Sequence, residues 1–211
     1  MNSPGWLIDS DLRPPPATGG MLIGLLGGSF NPPHAAHRLI SETAIKRLSL
    51  SQVWWMVTPG NPLKGRGDLA PLAERIWLSR RVSNHPRIKV TAFEAGLGTP
   101  FTAASLERLR SRHPDGRFVW LMGADNLESF HLWKDWRSIF ELMPILVEDR
   151  PGWRYRALAS RAASVFGRYK IAETSAGVLP YLTPPAWCYL SGPVSTLSST
   201  ALRSGLITPR S

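Results

Sequence analysis

Leu22-Ile23-Gly24-Leu25-Leu26-Gly27-Gly28-Ser29-Phe30-Asn31-Pro32-Pro33-His34-Ala35-Ala36-His37 is the stretch from which the rest of the chain can be read. Leu22 to Leu26 is a short apolar run closed by a glycine pair, the pattern of a strand covered on both faces. Asn31 followed by Pro32 reads as a helix cap with proline in the first helical turn. The chain is therefore expected to pass from a strand through a glycine turn into a helix. That is the opening unit of a parallel α/β sheet.

Working outward, Val53 to Thr58, Ile88 to Phe93, Phe118 to Met122, Ile145 to Val147 and Trp187 to Leu190 repeat the strand pattern. Between them Leu39, Ile40, Ile45 and Leu48, then Leu72, Ile76 and Val82, then Leu106 and Leu109 fall on helical faces. Such alternation predicts a Rossmann-like, doubly wound, mainly parallel sheet with helices on both faces. Its ligand crevice lies beyond the carboxyl ends of the strands, so the loops after Leu26, Thr58 and Met122 should carry the chemistry. Residues 1–20 hold Pro14, Pro15, Pro16, Gly19 and Gly20 and read as a loose extension; residues 21–211 read as one domain, with Gly177 to Pro185 loop-like.

The 211 residues are 43% hydrophobic and 19% charged, enough apolar material for one core. No apolar run is long enough to span a membrane, and the first twenty residues lack the pattern of a secretory signal, so a cytoplasmic protein is expected. A single cysteine, Cys188, excludes an internal disulfide and argues against a zinc site. The net charge of +10 would attract a nucleic acid backbone or a small polyphosphate. The basic residues are scattered, densest at 75–87, 108–117 and 150–170, and read mostly as solvated helix faces.

Gly27 and Gly28 leave no side chain between the main-chain N–H groups and a ligand, and a helix starting just beyond them would turn its positive end toward an anion. On that helix His34 and His37 share a face and can reach one phosphate, where two imidazole donors would stabilise developing charge. A histidine pair can also bind metal, and either residue can serve as a cap or in the core. Near the other end, Ser198-Ser199-Thr200-Ala201-Leu202-Arg203 reads as a hydroxyl cluster opening a helix, with the guanidinium one turn on. It suits the β- and γ-phosphates of ATP, or simple capping.

The segment from Gly27 to His37 resembles the signature of the nucleotidyltransferase superfamily with its His-x-Gly-His core, as in nicotinate-nucleotide adenylyltransferases. Ala36 stands where that family has glycine. Ser198 to Arg203 resembles the superfamily's triphosphate motif, so the likeness runs from about Leu22 to Leu206. It implies transfer of AMP from ATP to nicotinate mononucleotide, with His34 and His37 as the catalytic donors. Gly27, Gly28, Ser29, Phe30, Gly123, Asp125, Ser198, Ser199, Thr200 and Arg203 would join the histidines in holding ATP. Asn31, Lys64, Thr102, Trp133 and Arg150 would hold the acceptor, Trp133 by stacking and Trp136 being left to the core. Magnesium would arrive with the triphosphate, no protein metal cage being offered. A homo-oligomer is left open. The competing readings are another acceptor, nicotinamide mononucleotide or phosphopantetheine, and, from a different class, a basic nucleic-acid-binding module.

Overall fold

The computed structural model describes residues 7–60, 69–98 and 101–192. Among them seven strands form a sheet: β1 (Leu22–Gly28), β2 (Gln52–Val57), β3 (Ile88–Thr91), β4 (Arg117–Gly123), β5 (Ile145–Glu148), β6 (Lys170–Ile171) and β7 (Trp187–Leu190). The order is β3-β2-β1-β4-β5-β7-β6, and every neighbouring pair is parallel. The helices are α1 (Ala35–Arg47), α2 (Leu72–Ser83), α3 (Phe93–Gly96), α4 (Thr102–Arg112), α5 (Ala124–Ser129), α6 (Trp136–Leu142), α7 (Arg154–Leu158) and α8 (Arg161–Val165).

The strands are apolar throughout because both faces are covered, and side chains alternate between two cores. Ile23, Leu25, Trp54, Met56, Trp120 and Trp187 join the face packed by α4, α5 and α6. Leu22, Leu26, Val53, Trp55, Leu121 and Cys188 join the face packed by α1 and α2. At roughly 1.5–3 kcal/mol for each large apolar side chain fully buried, these two layers dominate the stability of the fold.

From β1 the chain steps out to β2 and β3, then returns to lay β4 on the other side of β1 and continues to β5. The reversal falls between β1 and β4, where a doubly wound sheet opens its crevice. The register pairs Leu26 with Leu121, Gly123 with Glu148, and Glu148 with Leu190, so the carboxyl ends of β1, β4, β5 and β7 form one rim.

Three local expectations are corrected. Part of the extension expected to lie loose is docked: a 3-10 turn at Asp9–Leu12 buries Asp11, which pairs with Arg80, while Thr91 Oγ1 donates to the carbonyls of Asp11 and Arg13. The apolar run at Ile88 yields to α3 at Phe93. Gly177 to Tyr181 belongs to a 3-10 helix, Glu173–Tyr181, which buries Ala176 and Leu179. Strand β6, two residues long, is too short to leave a pattern in the sequence.

Candidate active site

Helix α1 begins at Ala35, with His34 at its N-cap. The cap predicted at Asn31 is therefore three residues early. Pro32 follows Asn31 through a cis peptide, and the Asn31 carboxamide oxygen instead accepts the N–H of Ala70, 3.3 Å away. The glycine pair also divides its work. A Cβ on Gly27 would stand 2.4 Å from the Trp120 indole, so glycine is needed there for packing, whereas at Gly28 the nearest atom, on Phe30, lies at 3.4 Å.

His34 and His37 nevertheless come together, ring centroids 3.9 Å apart. The main-chain N–H of His34 donates to Nδ1 of His37 at 3.2 Å, which leaves the ring proton of His37 on Nε2. Nδ1 of His34 is buried and meets no hydrogen-bond partner among the described residues. Burial, with the charge of Arg150 nearby, lowers the His34 pKa to about 4. Burial, then His34 and Arg150, holds His37 well below its ordinary value. Both rings are thus neutral at neutral pH, ready to donate a single N–H.

Behind them Phe30 is wholly buried, stacked on Trp55 at 5.0 Å and touching His37 at 4.6 Å. Its left-handed backbone, φ 46°, costs on the order of 1–3 kcal/mol, offset by burying the ring. Its expected contact with ATP can therefore run only through the main chain. Trp55 Nε1 donates to Ser41 Oγ at 2.7 Å, and Ser41 Oγ donates to the carbonyl of His37 at 2.9 Å, fixing the first turn of α1 from beneath.

Across the switch point, Arg150 after β5 pairs with Asp125 at the start of α5, Nε to Oδ1, 3.0 Å. Gly123 lies directly under that pair: a Cβ there would stand 2.4 Å from Asp125 Oδ1 and 2.6 Å from Arg150 Nε. Asp149 holds the turn, its Oδ1 accepting the main-chain N–H of Arg150 at 2.8 Å and the Tyr189 hydroxyl at 2.7 Å. His34, His37, Gly123, Asp125 and Arg150 therefore meet at the ends of β1, β4 and β5.

Thr102 is the first residue of α4, with Phe101 at the cap position. The Thr102 and Trp133 segments do meet, with Lys134 Nζ 4.3 Å over the Phe101 ring. Trp136 is buried in the core, while Trp133 is only half-buried, resting on Phe130 at 5.0 Å and edge-on to Trp120 at 6.4 Å. Ser29 sits half-buried beyond β1. Lys64, Ser198, Ser199, Thr200 and Arg203 lie outside the described residues.

Besides Asp11, three ionisable residues are buried without any expectation of it from the sequence. Glu94 is raised to about 7 by burial, against hydrogen bonds to the Ser105 and Thr58 side chains. Burial likewise raises Glu148 well above the usual carboxylate range. Arg75, expected on a solvated face, is 1% exposed. Its place one turn after Leu72 and one before Ser79, on the inner face of α2, was the available signal.

The Cytidylyltransferase-like family model matches residues 25–205, from β1 past the last described strand. A protein of Rhizobium meliloti (strain 1021) named "Probable nicotinate-nucleotide adenylyltransferase" is 56% identical over 184 residues, 87% of this chain and 98% of that protein. The chain belongs to the nicotinate-nucleotide adenylyltransferase family. A member of the family from Agrobacterium fabrum (strain C58 / ATCC 33970) is 55% identical over 87% of this chain and 98% of its own length. The fold agrees with that of the Plasmodium falciparum nicotinic acid mononucleotide adenylyltransferase complexed with NaAD. There the TM-score is 0.67 at 15% identity, over 87% of this chain and 83% of that one. Among the described residues no helix is long and apolar enough to cross a membrane.

Proposed function

We propose that this chain transfers the AMP moiety of ATP to nicotinate mononucleotide, giving nicotinate adenine dinucleotide and pyrophosphate, in NAD biosynthesis. The observation that carries it is identity of 56% over 98% of a relative bearing that activity in its name. The paired histidines at the β1/β4 switch point supply the chemistry.

An oxygen of the acceptor's phosphate attacks the α-phosphorus in line; the new P–O bond forms as the α–β bridge breaks and pyrophosphate leaves. No covalent enzyme intermediate is required, so catalysis is positioning plus charge stabilisation. His37 donates from Nε2, and His34 offers its unpaired ring, to the α-phosphoryl oxygens. The main-chain N–H groups along Gly27, Gly28, Ser29 and Phe30 line the approach. Asp125, over Gly123, takes the ribose hydroxyls and holds Arg150 against a phosphate on the acceptor side. Ser198, Ser199, Thr200 and Arg203 receive the β- and γ-phosphates. Asn31 helps to shape the acceptor side, Lys64 meets the acceptor's phosphate, the N–H groups opening α4 at Thr102 meet its carboxylate, and Trp133 stacks on the pyridine ring.

ATP would bring magnesium with it, the ion neutralising charge on the triphosphate. The groups converging here are N–H groups, imidazoles and a guanidinium, with the Asp125 carboxylate held by that guanidinium, a set that suits phosphate oxygens. Incubation of the purified protein with ATP and nicotinate mononucleotide should yield the dinucleotide and pyrophosphate in equal amounts; neither product with either nicotinate or nicotinamide acceptor would overturn the reading.

A further inference from the structure

Arg75 is a charged side chain in the interior, and its surroundings explain why. Nε donates to the carbonyl of Ala70 at 2.9 Å; Nη1 donates to the carbonyls of Ser29 at 2.7 Å and Thr58 at 2.8 Å; Nη2 reaches that of Pro59 at 3.5 Å. No carboxylate is paired with it in the salt bridges among the described residues, so its charge is met by carbonyl dipoles. Leaving such a group buried is costly unless each donor finds an acceptor, and only the planar guanidinium fork can serve carbonyls in several directions at once. Burial lowers its pKa only to about 10, so the charge is retained at neutral pH.

The three segments that it joins have different duties. Ser29 belongs to the turn between β1 and His34; Thr58 and Pro59 open the turn after β2; Ala70 leads into α2. The Ala70 N–H bond to Asn31 Oδ1 makes a second tie between the first and third. We propose that Arg75 is a positioning residue that sets the spacing between the turn after β1, which cradles the nucleotide, and the turn after β2, which faces the acceptor. The proposal rests on the substrate placement given above. Arg75 touches neither substrate: it fixes the frame in which the acceptor's phosphate and the α-phosphorus approach one another.

A positioning role predicts a distinctive kinetic pattern. Arg75→Lys keeps a charge but loses the fork, and Arg75→Gln keeps two donors without charge. Each variant is assayed below its own unfolding transition for kcat, for KM of nicotinate mononucleotide and of ATP, and for binding of each nucleotide alone by calorimetry. Displacement of the two turns by about 1 Å should lower kcat roughly 100-fold in both, with each nucleotide binding alone within about threefold of wild type. A lowered Tm with kcat and both KM values unchanged would make Arg75 a stability residue and overturn the proposal. So would failure of both variants to fold at any assay temperature, which would assign it to folding. Wild-type protein inactive with ATP and nicotinate mononucleotide would instead defeat the functional reading, a result distinguishable from active variants beside an active wild type.

Discussion

Gly27 and Gly123 lie near the carboxyl ends of neighbouring strands, and the same substitution should have opposite consequences at the two. In Gly123→Ala the new Cβ stands 2.4 Å from Asp125 Oδ1 and 2.6 Å from Arg150 Nε, where ordinary contact begins at 3.4 Å, so the ion pair must retreat by about 1 Å. Both atoms belong to flexible side chains, 29% and 12% exposed, that can move together and keep their ion pair. The stiffer unfolded chain returns about 0.4–1 kcal/mol, so Tm should barely move. A 1 Å displacement at the reacting groups costs about 100-fold in rate, or close to 2.7 kcal/mol of transition-state stabilisation. In Gly27→Ala the Cβ meets the Trp120 ring at 2.4 Å, and that ring, 1% exposed, has nowhere to go. Overpacking of this kind costs about 1–3 kcal/mol, a fall in Tm of roughly 2–12 °C for a chain of this size. Pyrophosphate release and thermal melts on both variants read the two effects separately. Gly123→Ala with wild-type kcat, or with a Tm fall matching that of Gly27→Ala, would refute the reasoning.

Replacing His34 or His37 by alanine should each lower kcat about 100-fold to 1000-fold, and His37→Ala should also lower Tm because the His34 main-chain N–H loses its acceptor; near-normal turnover in either single variant, measured by pyrophosphate release, would remove that ring from the mechanism. Stability against pH carries opposed contributions. Glu94, raised from 4.5 to about 7, contributes roughly 3 kcal/mol that is present below pH 4.5 and lost as pH rises through 7. His34, lowered from 6.5 to about 4, contributes in the other sense, its stability present above 6.5 and lost as pH falls toward 4. Glu94→Gln removes the first, so its Tm should rise more steeply between pH 5 and pH 7 than that of the wild type; parallel Tm profiles would contradict the assignment.

Much of this was legible because it repeats. Six apolar runs between glycine- and proline-bounded turns gave the strands, and the parallel order follows from helices intervening between them. The histidine pair was legible because residues three apart at a helix start come to one side, and they still do so although the helix starts at Ala35 and His34 is its extended N-cap. What escaped depends on neighbours far away in sequence. Nothing local distinguishes Arg75 from the arginines around it except its turn-by-turn alignment with Leu72 and Ser79; its partners are carbonyls 46 and 17 residues away. Gly27 read as an approach for phosphate, but its constraint comes from an indole on the adjacent strand. Glu94 sits next to Phe93 in a run that looked like strand, and only the turn into α3 carries it beneath Thr58 and Ser105.

The acceptor is where the account is most exposed. Specificity constants for nicotinate and nicotinamide mononucleotide, measured side by side with saturating ATP, test it directly. A carboxylate facing the N–H groups that open α4 should favour the nicotinate substrate by at least about 10-fold, since a charge-assisted hydrogen bond is worth roughly 1.5–3 kcal/mol. Equal constants, or a preference for the nicotinamide substrate, would contradict it.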